Sequence, residues 1–101
     1  MRHQLLFKQI LLQDNSSMLV GILHIHVNLF GVSNLKQKRG IVKSLVQRLS
    51  NRFNASVSEI DNHDSKQKAV VGIAVVSNQT SHIHQQLDNI IKFASDRKSV
   101  V

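Results

Sequence analysis

Apolar residues recur along this chain with two different periods. Between Asn34 and Phe53, the residues Leu35, Val42, Leu45, Val46, Leu49 and Phe53 gather on one face at about 100° per residue, with Ile41 at its edge. This spacing predicts an amphipathic helix. Asn34 suits its N-cap, because its side-chain oxygen can accept a hydrogen bond from an orphan N–H of the first turn. Asn54 suits the other end, since Asn tolerates the left-handed conformation. A second helical spacing follows at Ile83, Leu87, Ile90, Ile91 and Ala94, with Thr80 or Ser81 as its cap.

The other period is two. From Met18 to Leu29, the residues Leu23, Ile25, Val27 and Leu29 alternate with His24, His26 and Asn28, the pattern of a strand with one wet face. Lys68 to Ser77 repeats it with Val71, Ile73 and Val75 on one side. Between them, Asn54 to Asp61 predicts a strand anchored by Val57 and Ile60. Those two are out of phase, so a bulge near Ser58–Glu59 is expected. Asn62-His63-Asp64-Ser65 is a turn sequence that suits a hairpin. Ser99-Val100-Val101 opens a further short strand. The expected fold class is therefore α+β: a ferredoxin-like βαββαβ sandwich, with an antiparallel sheet, two helices on one face and the last strand truncated. His24, His26 and Asn28 should point to the open face.

Residues 1–17 stand outside this pattern. They are expected to be a poorly ordered N-terminal extension, in which Leu5, Leu6, Ile10 and Leu11 could make one side of a short helix. Met18 is a candidate translation start, and residues 18–101 form the single domain. In the ferredoxin-like order the last strand pairs with the first, so its loss leaves an edge of unpaired backbone groups along Met18–Asn28. That edge is expected to be covered by a second subunit or by residues 4–12.

Charge changes the picture more than composition does. Lys and Arg number 13 against 6 Asp and Glu, a formal charge of +7 in 101 residues. Six of those cations lie on the first predicted helix: Lys36, Lys38, Arg39, Lys43, Arg48 and Arg52. Lys36, Arg39 and Lys43 form one stripe beside the apolar face, Arg48 and Arg52 flank the other side, and Lys38 falls close to the apolar arc. With no acidic residue on this helix, the arrangement points to a polyanion-binding face. A solvated helix surface is the bland alternative. There is no cysteine, which excludes disulfides and thiolate chemistry. No apolar run approaches the roughly 18 residues that span a bilayer. A cytoplasmic location is expected, with no membrane partner.

Candidate chemistry is sparse. His24-x-His26 puts two imidazoles on one strand face, His82-x-His84 diverges on a helix, and His63 lies by Asp61 and Asp64 on a turn. A metal site needs three or four converging ligands, and nothing in the sequence brings these clusters together. Glu59 and Asp61 share a strand face if no bulge intervenes; pairing with Lys66 or Lys68 across the hairpin is the simpler role. Neither a Walker loop, a dinucleotide fingerprint nor a nucleophile elbow is present. No catalytic residue, metal, cofactor or small-molecule substrate is expected. Trp and Tyr are absent, and Phe30, Phe53 and Phe93 read as loop or core residues, so any RNA contact should be phosphate-led rather than stacked.

Three separated words resemble one family. Leu35-Lys36-Gln37-Lys38-Arg39, the run Asn51-Arg52-Phe53-Asn54-Ala55-Ser56-Val57-Ser58-Glu59-Ile60-Asp61, and Gly72-Ile73-Ala74-Val75-Val76-Ser77-Asn78 are similar, in that order, to segments of the YlxP-like family of small uncharacterised bacterial proteins. The match runs from about Met18 to Phe93. Ser65-Lys66 stands where that family typically carries Leu-Trp. The resemblance implies a ferredoxin-like fold. It also implies genes that neighbour those of translation-initiation and ribosome-maturation factors, and no established catalytic residues. The expected function is a non-enzymatic accessory protein that meets RNA or the ribosome through the basic helix. The second expectation is a homodimer or protein-interaction module using the open sheet face or the uncovered strand edge.

Overall fold

The computed structural model describes residues 2–13 and 17–96. Six elements follow one another: β1 (Arg2–Gln13), β2 (Leu19–Phe30), α1 (Leu35–Arg52), β3 (Ser56–Asp61), β4 (Lys68–Ser77) and α2 (Thr80–Ser95). The four strands make one antiparallel sheet in the order β1-β2-β4-β3. Alternation decides which side of each strand is buried. Leu23, Ile25, Val27 and Leu29 of β2 and Val71, Ile73 and Val75 of β4 face the helices. They meet Val42, Leu45 and Leu49 of α1 and Ile83, Leu87, Ile90 and Ala94 of α2 in one core. Helix α1 lies over β3, and α2 lies across β2 and β4. At Gly21 this packing is closest: a Cβ there would stand 2.5 Å from Cγ2 of Ile83 and 3.2 Å from Cδ1 of Leu87.

From β2 onward the layout is the ferredoxin-like α+β sandwich. The strand beside β2, however, comes from the other end of the chain. Residues 2–13 do not form the short helix expected of them. They pair with β2 along its whole length, from Arg2↔Phe30 to Gln13↔Leu19. Of the two expected covers for that edge, the structure shows the N-terminal residues. The helical reading of Leu5, Leu6, Ile10 and Leu11 fails because the apolar residues serve both faces of a strand. Leu5 and Phe7 pack against the core, whereas Leu6, Ile10 and Leu12 stand on the open face, exposed. The expected strand at Ser99-Val100-Val101 lies outside the described residues.

Three local expectations are corrected. Helix α1 is capped by Asn34, whose side chain accepts from Gln37 N at 2.8 Å, but it ends at Phe53 in extended backbone rather than at a left-handed Asn54. Helix α2 is preceded by Gln79, not Thr80 or Ser81, and Ser77 Oγ receives the Gln79 N–H. The bulge in β3 falls between Glu59 and Asp61, one step beyond the predicted place. Lying beyond Glu59, it leaves Ile60 on the open face where alternation from Val57 puts it, with its side chain across Gly72, so Ile60 is no core anchor. Gly72 makes this possible, since a Cβ there would stand 3.0 Å from Cγ2 of Ile60.

Candidate nucleic-acid interface

The stripe of α1 that faces the core is Lys38, Val42, Leu45 and Leu49. A lysine in that series must find partners, because a buried ammonium without them would forfeit its hydration. Lys38 is 0% exposed. Its Nζ donates to Oε2 of Glu59 at 2.8 Å, to the Asn62 carbonyl at 2.9 Å and to the His63 carbonyl at 3.4 Å. The three donors of the ammonium thus meet one carboxylate and two carbonyls of the β3–β4 turn. Lys38 is therefore withdrawn from the basic face on which the sequence places it, and the helix carries five outward cations rather than six. Strand alternation sets up this bond, because Val57 opposite Ile73 and Glu59 opposite Val71 share the helix side. Glu59 turns to the helix side while Asp61 lies past the register shift, opposite Val70 of the other face. The paired-carboxylate arrangement of Glu59 with Asp61 does not form, and the partner of Glu59 is Lys38, not Lys66 or Lys68.

The remaining cations of α1 are exposed at the surface. Lys36, Arg39 and Lys43 are exposed along one stripe, and among the described residues no carboxylate engages them. Arg48 is exposed on the opposite flank. Arg52, also exposed, is anchored: its guanidinium carbon lies 4.9 Å from the ring centre of Phe93 and 6.0 Å from that of Phe53. Those two rings meet edge to face at 5.7 Å. Cations at the start of a helix oppose its dipole, and the first turn of α1 contains no acidic residue to offset Lys36 and Arg39. These two cations are therefore placed where they oppose local helix stability.

The histidines do not converge. The rings of His24 and His26 are 6.4 Å apart on the open face. His82 Nδ1 lies 3.0 Å from Ser77 Oγ, and His63 Nε2 lies 3.2 Å from the Glu59 carbonyl. Among the described residues no three His, Asp or Glu side chains gather as a metal would require. Phe53 and Phe93 sit half-buried at the core edge, as expected. Phe30 is different: it is 50% exposed at the end of β2. Its position opposite Arg2, on the same face as Asn28, follows only once β1 is known to be a strand.

A family model described as a protein of unknown function, DUF503, matches residues 20–101. The chain belongs to the DUF503 family. The uncharacterised protein YlxP of Bacillus subtilis (strain 168) is 31% identical to it over 75 residues, which cover 74% of this chain and 82% of that protein. The DUF503 match begins at Val20, inside β2, so β1 precedes it. The helix with its cation stripe, the Lys38–Glu59 bridge, β4 and all of β2 but Leu19 lie within the matched span. Among the described residues, no helix is long and apolar enough to cross a membrane.

Proposed function

We propose that this DUF503 domain is a non-enzymatic accessory factor that contacts RNA or the ribosome through the outer face of α1. The observation that carries the reading is the stripe Lys36, Arg39 and Lys43, exposed and without an internal counter-charge among the described residues. The phosphate backbone is the natural partner of such a stripe, because neutralising phosphates releases condensed counterions. Arg52, fixed over two aromatic rings on the other flank at the far end of the helix, offers a further cation with little rotamer freedom to lose. The test is co-sedimentation with ribosomes of the wild type and of a variant carrying Lys36→Glu, Arg39→Glu and Lys43→Glu. The wild type should sediment and the variant should not; equal sedimentation of the two rejects the reading.

A second reading rests on the opposite side of the sheet. There Leu12, Val20 and Val76 form one cross-strand rung, and Ile10, Ile22 and Ala74 form the next. Leu12 and Val76 are 51% and 60% exposed. Such a row suits a protein partner or a second copy of the chain. The outer edge of β1, which pairs with no strand among the described residues, lies beside it. Light scattering and pull-down at high salt separate the two readings, because phosphate contacts fade with screening while an apolar sheet interface persists.

A further inference from the structure

The polar end of the open face holds a pocket that neither the basic stripe nor the apolar rungs use. Its floor is one cross-strand rung, Gln4 of β1, Asn28 of β2 and Lys68 of β4, with Gln67 beside it and Phe30 as a wall. The volume is about 280 Å³. Hydrogen-bonding capacity in it is largely unspent. The single side-chain bond among these amides, from Asn28 Nδ2 to Gln4 Oε1, is 3.4 Å long. The Asn28 side-chain oxygen, the Gln4 amide nitrogen and the whole Gln67 side-chain amide have no partner among the described residues. Phe30 keeps half its surface in solvent, and Gly31, at φ 83°, turns the chain away from the ring toward α1.

An aromatic face, three amides with free donors and acceptors, and one lysine make the combination that binds a nucleobase with its phosphate. The ring stacks on the base, amides pair with its edge, and the ammonium takes the phosphate. The geometry points to a nucleobase-binding site formed by Phe30, Gln4, Asn28, Gln67 and Lys68. This inference rests on the RNA reading of α1 for the source of the base and extends it. The phosphate-led contact along the helix gains one stacked, edge-read nucleotide at the end of the sheet. Phe30 and Lys36 are six positions apart, a span of at most about 20 Å, so one short strand can reach both.

The test is an amide-resolved NMR titration of the full chain with AMP, UMP, inorganic phosphate and an eight-nucleotide single-stranded RNA, for the wild type and Phe30→Leu. Phe30 is half-exposed, so the substitution removes the π face while leaving the core intact. Either mononucleotide should shift Asn28, Leu29, Gln67 and Lys68, whereas phosphate at the same concentration should leave Asn28 and Leu29, beside the ring, unmoved. Phe30→Leu should erase those shifts and weaken the oligonucleotide about tenfold, within the range found for loss of a stacked base. The triple charge reversal on α1 should lose the oligonucleotide and keep the mononucleotide shifts. If mononucleotide and phosphate shift the same amides, or Phe30→Leu binds the oligonucleotide like the wild type, the base site is refuted while the basic helix stands. Mononucleotide shifts without any oligonucleotide binding would uphold the base site, assign it to a free nucleotide and reject the RNA reading.

Discussion

The ammonium of Lys38 lies 2.8 Å from the carboxylate of Glu59, and this bond ties the first turn of α1 to the bulge of β3. Glu59 is 18% exposed and Lys38 not at all, so loss of either partner leaves the other in a poorly hydrated place. Lys38→Met should cost about 3 kcal/mol, near the lower end for a broken buried pair. For a domain of this size that is a fall in Tm of roughly 12 °C or more. Adding Glu59→Leu should recover most of the loss, because an apolar pair of similar volume replaces the ion pair. Thermal melts of the single and double variants check both statements. RNA binding per folded molecule should not change in either.

Gly40 is exposed inside α1, and a Cβ placed there meets nothing within 4 Å. Gly40→Ala should therefore stabilise the protein by about 0.5–1 kcal/mol, through helix propensity and a less flexible unfolded chain. Denaturant unfolding should show a higher midpoint with the slope unchanged.

Gly21 behaves oppositely. A methyl group there collides with Ile83 and crowds Val75 and Leu87, so α2 must lift from β2. Gly21→Ala should lose about 1–3 kcal/mol by overpacking. Comparison of its denaturant midpoint with that of Gly40→Ala tests whether one added carbon acts with opposite sign at the two glycines.

Removal of residues 2–17 should strip the sheet of β1 and open the N–H and C=O row of β2. Leu5 and Phe7 also leave the core. The shortened chain should exchange its β2 amides faster and sediment as larger species than the full chain, since an unpaired edge seeks a partner. Analytical ultracentrifugation with hydrogen exchange measures both.

The salt dependence of RNA binding counts the cations that touch phosphate. For single strands each such contact contributes about 0.7 to the slope of log affinity against log salt concentration. Lys43→Gln should lower that slope by about this amount. Lys38→Met should leave it unchanged, because Lys38 is occupied by the β3–β4 turn.

The extent to which the sequence disclosed this structure follows its physical periods. Helix α1 and strands β2 and β4 were legible because each has one buried and one wet side, and their predicted bounds differ from the observed ones by a residue or two. β1 was not, since apolar residues occupy both of its faces and alternation disappears. Lys38 carried a readable signal: it precedes Val42, Leu45 and Leu49 by four, seven and eleven residues, placing it within the stripe rather than beside it. What no spacing could supply was its partner, because Glu59 lies 21 residues away on β3 and meets it only once α1 packs over that strand. Phe30 was misjudged for a related reason. Its surroundings come from Gln4, Gln67 and Lys68, far from it along the chain. The cations of α1 needed no tertiary knowledge, apart from the aromatic pair beneath Arg52.

The N-terminal position of β1 also bears on how the sheet assembles. Its contacts with β2 begin between Gln13 and Leu19, only six residues apart, and zip outward from there. A strand arriving in that place from beyond α2 would instead close a loop embracing nearly the whole domain. Local pairings of low sequence separation form fastest. On a ribosome, the β1–β2 ribbon can therefore be complete while α1 is still in the exit tunnel, giving the later elements a template on which to condense.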